Sequence, residues 1–221
     1  MSIVPARCLG QTAHVQGGLP GNESDDSMQH IAVFCGSSFG ADPAFRASAQ
    51  ALGHAIAESG RVLVYGGSRL GLMGILADAA LEAGGQVIGV IPRALVTQEH
   101  AHNGLTQLLV ASSMHERKAM MADRADAFIG MAGGLGTLDE FFEIWTWAQL
   151  GLHGKPLGLL NTNQLFTPLL TYLDGVVAQG FMRHEHRDQL IVSDKPGQLV
   201  GRLAEARPQI LPKWPSRNTA G

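Results

Sequence analysis

Asp139 and Glu140 stand directly behind a glycine-rich segment, Ala132-Gly133-Gly134-Leu135-Gly136-Thr137, which itself follows the apolar run "DAFIGM". Glycines at a strand-to-helix junction let backbone N–H groups approach a ligand, and a helix N-terminus favours an anion, so phosphate is the natural guest. A carboxylate beside a bound phosphate is repelled unless it meets positive charge elsewhere on the same ligand. Cleavage of an N-glycosidic bond supplies that charge, because the sugar becomes cationic at C1′ as the base departs. A carboxylate can stabilise this cation and orient or deprotonate water. Loop and acid would then hold opposite ends of a nucleoside 5′-monophosphate. Either acid taken singly has a plainer role, complementing the helix dipole by about 0.3–1 kcal/mol.

Two further segments share this character: Gly36-Ser37-Ser38, and "GGSRLGLMG" at 66–74. None is a familiar nucleotide fingerprint. Gly134-Leu135-Gly136 would need glycine where Asp139 stands, Gly66 to Gly71 has the wrong spacing, and no lysine follows as in a Walker loop. One such loop is explained by a tight turn with close strand-to-helix packing; three on one sheet edge weaken that explanation. The segment "MHERK" at 114–118 adds Arg117 and Lys118. A solvated basic pair is the plain reading, but the planar guanidinium of Arg117 suits a fork to phosphate or ribose oxygens.

These residues need elements to position them. Apolar runs of four to six residues ("HIAVFC", "RVLVYGG", "QVIGVI", "LTQLLVA", "DAFIGM", "KPLGLLN", "DQLIVS") alternate with helical patterns. The expected helices are "DPAFRASAQALGHAIAESG", 71–82, 114–125, "TLDEFFEIWTWAQL", 164–180 and 196–206. Ser113 is the expected cap of the 114–125 helix, with Glu116 in capping-box position. This alternation predicts an α/β fold, one Rossmann-like doubly wound parallel sheet with helices on both faces. In such sheets ligands lie beyond the carboxyl ends of the strands, where all three glycine loops fall. The expected organisation is a mobile tail over 1–29, one domain over 30–210 and a short tail over 211–221.

Composition sets limits. The chain has 221 residues, 45% hydrophobic, with 16 basic and 19 acidic residues and a formal charge of -3. No basic stripe marks a nucleic-acid or anionic-membrane partner. Cys8 and Cys35 make a disulfide framework improbable, and no run approaches the ~18 apolar residues of a membrane span. A cytoplasmic location is expected. His100 with His102, and His184 with His186, lack the Cys or Asp cluster that would complete a metal site, so no metal is expected.

The motifs "VFCGSS", "VYGGSRLGLMG", "MHERK", "AGGLGTLDE" and "IWTWAQLG" together resemble the LOG (LONELY GUY) family of cytokinin riboside 5′-monophosphate phosphoribohydrolases, long labelled lysine decarboxylases, over about residues 30–210. The resemblance implies hydrolysis of an adenosine 5′-monophosphate, N6-substituted or not, to the free base and ribose 5-phosphate, with no cofactor. It implies a catalytic pair of Arg117 and Glu140, and substrate contacts from Ser37, Gly67, Lys118, Gly133, Gly134, Gly136 and Thr137. It also matches Glu99 to a family acid near sugar or base. Ala132 replaces the pattern's proline, and Ser68 stands where many relatives carry a third glycine.

Two other functions remain open from the sequence alone. A pyridoxal phosphate decarboxylase needs a Schiff-base lysine, for which only Lys118 among Lys118, Lys155, Lys195 and Lys213 is well placed. A nucleotide carrier of the same fold would need no Arg117–Glu140 pair. The helix from Thr137 to Leu150 is apolar on nearly all sides, with Trp145 and Trp147 about 200° apart, which predicts a homodimer packed on it. Arg93 or His100 of a facing subunit is then placed to reach the pocket.

Overall fold

The computed structural model describes residues 28–96 and 100–211. Most of the expected N-terminal tail, Cys8, Glu99 and Lys213 lie outside the described residues. Among the described residues the strands are β1 (His30–Phe34), β2 (Val62–Tyr65), β3 (Val87–Pro92), β4 (Gln107–Ala111), β5 (Ala127–Gly130), β6 (Leu157–Leu160) and β7 (Leu190–Ser193). The helices are α1 (Pro43–Glu58), α2 (Gly71–Glu82), α3 (Arg93–Val96), α4 (Met114–Arg124), α5 (Leu135–Gln149), α6 (Thr167–Ala178), α7 (His184–Asp188) and α8 (Pro196–Glu205). None of them is long and apolar enough to cross a membrane.

All strand pairs are parallel, in the order β4-β3-β2-β1-β5-β6-β7. Alternation along β1 separates two cores. Ile31 and Val33 join Leu52 and Ile56 of α1, Leu76 of α2 and Leu199 of α8 on one face. Ala32 and Phe34 join Met121 of α4, Phe141 and Trp145 of α5 and Leu173 of α6 on the other. Burial on both faces explains why the strands read as continuous apolar runs, such as the wholly buried β5. The sheet is thus doubly wound, as the alternation predicts.

Local chemistry sets the helix starts. Asp42 caps α1 by accepting from the Ala44 N–H at 2.8 Å, and Pro43 opens the helix with its φ already helical. Ser113 caps α4 by accepting from the Glu116 N–H at 3.1 Å. The Glu116 carboxylate reaches back to the Ser112 N–H at 2.6 Å, one residue before the partner of an ordinary capping box. The expected 164–180 helix instead begins at Thr167, after a 3₁₀ turn at Thr162–Gln164. The short helices α3 and α7 are too brief to leave a period in the sequence.

The chain leaves β1 toward β2 on one side and takes up β5 on the other. This is the switch point of the sheet, and the loops after β1 and β5 flank the crevice that it opens.

Candidate active site

Beyond the carboxyl ends of the strands lies a cavity of about 750 Å³. The loops after β1 and β5 meet across the crevice: the Gly36 N–H donates to the Ala132 carbonyl at 3.0 Å. A Cβ on Gly36 would lie 3.2 Å from Gly133 Cα, and one on Gly133 would lie 2.0 Å from Thr137 Oγ1. Glycine at both positions is what lets the two loops close together. A Cβ on Gly134 or Gly136 would meet nothing within 4 Å, and both residues line the cavity. Their backbone is therefore open to a ligand at the N-terminus of α5, where unpaired N–H groups and the helix dipole favour an anion. Ala132, in place of proline, is buried and supplies the carbonyl of the Gly36 bond.

The two neighbouring acids part company here. The Asp139 side chain is 68% exposed and pairs with Lys118 Nζ at 3.0 Å; Lys118 also donates to Glu143 at 2.6 Å. The Glu140 side chain is 11% exposed and is paired with Nη1 of buried Arg117. Adjacent helix positions are 100° apart, so one acid faces solvent and the other faces the cavity.

Arg117 is fixed from three sides. Its Nε donates to the Val90 carbonyl of β3 at 3.0 Å, its Nη1 to Glu140, and its Nη2 lies over Gly66 at the end of β2. A Cβ on Gly66 would fall 2.1 Å from Nη2 and 2.9 Å from Met73 Sδ. Burial pushes the Glu140 carboxyl above its ordinary value, and the charge of Arg117 opposes that rise. The Cys35 thiol at the cavity wall is pushed up by burial and further by Glu140, so it stays protonated and is no nucleophile.

Ser37, Gly133, Gly134, Gly136, Thr137, Arg117 and Glu140 all line this one cavity. Gly67 and Lys118 do not line it. Gly67, at φ +71°, backs onto Ile91 and Leu108; Lys118 sits in its pair of acids beside the cavity. Ser68 is buried and accepts from the Leu70 N–H at 3.1 Å. His100, on the irregular connection after β3, lines the cavity of its own chain. Gly66, Met73 and Leu95 also line the cavity; the sequence points to the first two only as members of the loop at 66–74, and to Leu95 not at all.

Comparison with known proteins decides the family. A family model described as "Possible lysine decarboxylase" matches residues 73–203. A cytokinin riboside 5′-monophosphate phosphoribohydrolase of Rhodococcoides fascians is 50% identical over 163 residues, 73% of this chain and 82% of that protein. The phosphoribohydrolase LOG of Oryza sativa is 42% identical over 187 residues, 85% of this chain and 77% of that protein. The chain belongs to the LOG family.

Among solved structures, a molybdenum cofactor binding protein from Rippkaea orientalis matches with a TM-score of 0.61 at 24% identity, covering 80% of this chain and 96% of that one. That likeness speaks for the fold alone. The decarboxylase label fits this LOG-family site poorly, because no lysine lines the cavity among the described residues. Lys155 lies toward the amino ends of the strands, where its Nζ donates to the Ala122 carbonyl at 2.8 Å beside a second cavity of about 200 Å³. His102 is bound to Asp78 at 2.8 Å and His186 is buried. No cluster of three or more metal-ligating side chains occurs among the described residues.

Proposed function

We propose that the chain hydrolyses the N-glycosidic bond of adenine-type nucleoside 5′-monophosphates, releasing the free base and ribose 5-phosphate. One observation carries this reading: a buried carboxylate, Glu140, held by a buried guanidinium, Arg117, one turn inside a helix whose N-terminus opens onto the cavity. The 5′-phosphate takes the open glycine backbone at Gly134 and Gly136 with Ser37 and Thr137. The C1′–N9 bond breaks with its electron pair leaving on the base, and the Glu140 carboxylate faces the cation at C1′. Water attacks C1′ and passes a proton to Glu140, whose raised affinity for protons suits a general base and which then gives that proton to the departing base. Arg117 fixes the orientation of the carboxylate.

A nucleotide carrier would need no Arg117–Glu140 pair facing the ligand, since binding alone calls for no carboxylate beside the sugar. The enzyme acts in this reading as a cytoplasmic homodimer built on α5. The free, buried Cys35 supports a reducing compartment, and the exposed apolar positions Leu135 and Leu150, on α5 and at its end, support the dimer.

Chromatography of purified protein incubated with AMP and with N6-isopentenyl-AMP, in the presence of EDTA, tests the activity. Base and ribose 5-phosphate should appear in equal amounts. Release of base from neither nucleotide would overturn the reading.

A further inference from the structure

Two consecutive cations of α4 meet three acids of α5. Arg117 is paired with Glu140, and the next residue, Lys118, places its Nζ between two further carboxylates, 3.0 Å from Asp139 Oδ2 and 2.6 Å from Glu143 Oε2. Asp139 and Glu143 are four positions apart and so share one face of α5. On α4 itself the positions three and four residues from Lys118 are Met114, His115, Met121 and Ala122, none of them acidic. Lys118 therefore takes both its partners from the other helix. The Lys118 side chain is 15% exposed, and Glu143 Oε2 is closed off from solvent, with the Lys118 ammonium to neutralise it. Glu143 holds the ammonium above its ordinary proton affinity, partial loss of water opposes this, and Asp139 adds to it, so Lys118 is charged at neutral pH.

The two helices rest on the same face of the sheet and share a core through Met121 and Phe141. They stand over different strands, α4 over β1 to β4 and α5 over β1 and β5, and along the chain β5 and the glycine loop separate them. The placement of Arg117 against Glu140 thus depends on what links the helices. Neighbouring helix residues are about 1.5 Å apart along the axis and belong to one stiff backbone. A tie at Lys118 fixes the backbone of Arg117, and its other ends, at Asp139 and Glu143 on either side of Glu140 in sequence, fix the backbone of Glu140.

We propose that Lys118 is a positioning residue for the hydrolysis: by tying α4 to α5 through Glu143 and Asp139 it holds the Glu140 carboxylate in register with Arg117, without touching the nucleotide. This role rests on the hydrolase reading above and adds the link that sets its reacting pair. Lysine suits it, because a compact ammonium with three donors serves two carboxylates at once. Lys118 does not line the cavity, so it acts from behind the pair and not on the ligand. Its charge reaches Glu140 as well. Burial raises the proton affinity of Glu140, Arg117 and then Lys118 oppose that rise, and Asp139 adds to it. Cys35, at the end of β1, stays protonated and brings no charge.

The test is kcat and KM for AMP and for N6-isopentenyl-AMP across pH, beside denaturation midpoints, in wild type, Lys118→Met, Lys118→Arg and Lys118→Met/Glu143→Gln. Lys118→Met keeps the apolar stem and removes the charge. Its kcat should fall by about 10-fold or more while KM stays within about threefold. Its acid limb of kcat/KM should move to higher pH, because one of the two cations that oppose protonation of Glu140 is gone. Lys118→Arg should keep that limb in place and most of kcat. Lys118→Met also strands the Glu143 charge and should be less stable; adding Glu143→Gln removes the stranded charge and should restore stability without restoring kcat. A KM that rises while kcat holds would make Lys118 a substrate contact, and a kcat that returns with stability in the double variant would make it a folding residue only. Either result, or an unmoved acid limb in Lys118→Met, would overturn the proposal. A wild type that releases no base sinks the hydrolase reading and this role with it, whereas an active wild type beside an unchanged Lys118→Met enzyme overturns this role alone.

Discussion

Gly66 and Arg117 occupy adjoining space so closely that a Cβ on the glycine would lie 2.1 Å from Nη2 of the guanidinium. Only the missing side chain at the end of β2 lets Arg117 lie between the Val90 carbonyl and Glu140. Gly66→Ala should therefore push the guanidinium off the carboxylate. A displacement of about 1 Å at a reacting group can cost about 10²-fold in rate, so kcat should fall by that order while KM changes several-fold at most. Steady-state kinetics at a temperature where the variant is folded will decide. A Gly66→Ala enzyme that is merely less stable, with kcat intact, would make Gly66 a packing residue and nothing more.

Glu140→Gln keeps the shape of the side chain and its hydrogen bond from Arg117 but removes the charge. Since the carboxylate acts on charge that develops only in the transition state, kcat should fall by about 10²–10⁴-fold with nucleotide affinity near wild type. Arg117→Ala removes a partner from a buried pair, so it should weaken binding too and destabilise the fold by about 3–5 kcal/mol. Calorimetric titration with AMP beside single-turnover kinetics separates these effects. Equal loss of binding in both variants would mean that Glu140 only shapes the loop.

The pH dependence follows from the upward shift of Glu140, which burial causes and Arg117 opposes. Catalysis needs the carboxylate, so kcat/KM should fall as pH drops through the raised value, at higher pH than an ordinary carboxylate would give. Stability carries the opposite sign. The folded chain keeps the Glu140 proton to higher pH than the unfolded chain does. Its contribution is therefore complete below the unfolded pKa and is lost as pH rises through the folded one. Glu140→Gln should abolish this part of the stability profile in denaturant titrations across pH. An acid limb at the ordinary carboxylate position would contradict the burial of this side chain.

The split between neighbouring acids gives a contrasting prediction. Asp139 meets Lys118 at the surface, where an exposed ion pair contributes about 0–1 kcal/mol. Asp139→Asn should leave kcat within about twofold and stability within about 1 kcal/mol, so that adjacent substitutions differ by orders of magnitude in effect. Parallel kinetics on the Asp139 and Glu140 variants test this directly. A large loss in Asp139→Asn would move the acid into the reacting centre.

The strands, the longer helices and the glycine loops are legible in the sequence because each carries a period or a turn residue. Arg117 and Glu140 stand out through their company, a basic pair and an acidic pair beside such loops. Which member of each pair does the chemistry is legible only through the family resemblance, since Asp139 and Glu140 differ only by 100° of helix rotation. Gly66 reads as loop and not as a cradle, because its partner Arg117 is brought there from 51 positions further along the chain. Gly67 shows the converse: a loop glycine expected at the ligand has its left-handed φ and backs onto β3 and β4. Leu95 is invisible because α3 is four residues long, and Met73 reads only as part of the glycine loop at 66–74.

The assembly depends on what α5 leaves uncovered. Trp145 is covered within the chain: its Nε1 donates to the His186 carbonyl at 3.3 Å, and Phe142 stacks on it with ring centroids 5.9 Å apart. The remaining apolar surface runs through Leu135, 86% exposed, with half-buried Leu138 and Phe142 at the i, i+3 and i+7 spacing of one helical stripe. Trp147 is half-buried on another side of the helix, and Leu150 at its end is exposed. A second copy covering this stripe would touch the loop that receives phosphate, so dissociation should cost activity as well as mass. Light scattering coupled to size exclusion should give about twice 23.4 kDa for the wild type at micromolar concentration. Leu138→Glu, which places a charge in the centre of the stripe, should shift the protein toward the monomer and lower kcat/KM in step with the monomer fraction. A wild-type chain that runs as a stable monomer with full activity would refute both the dimer and its tie to the site.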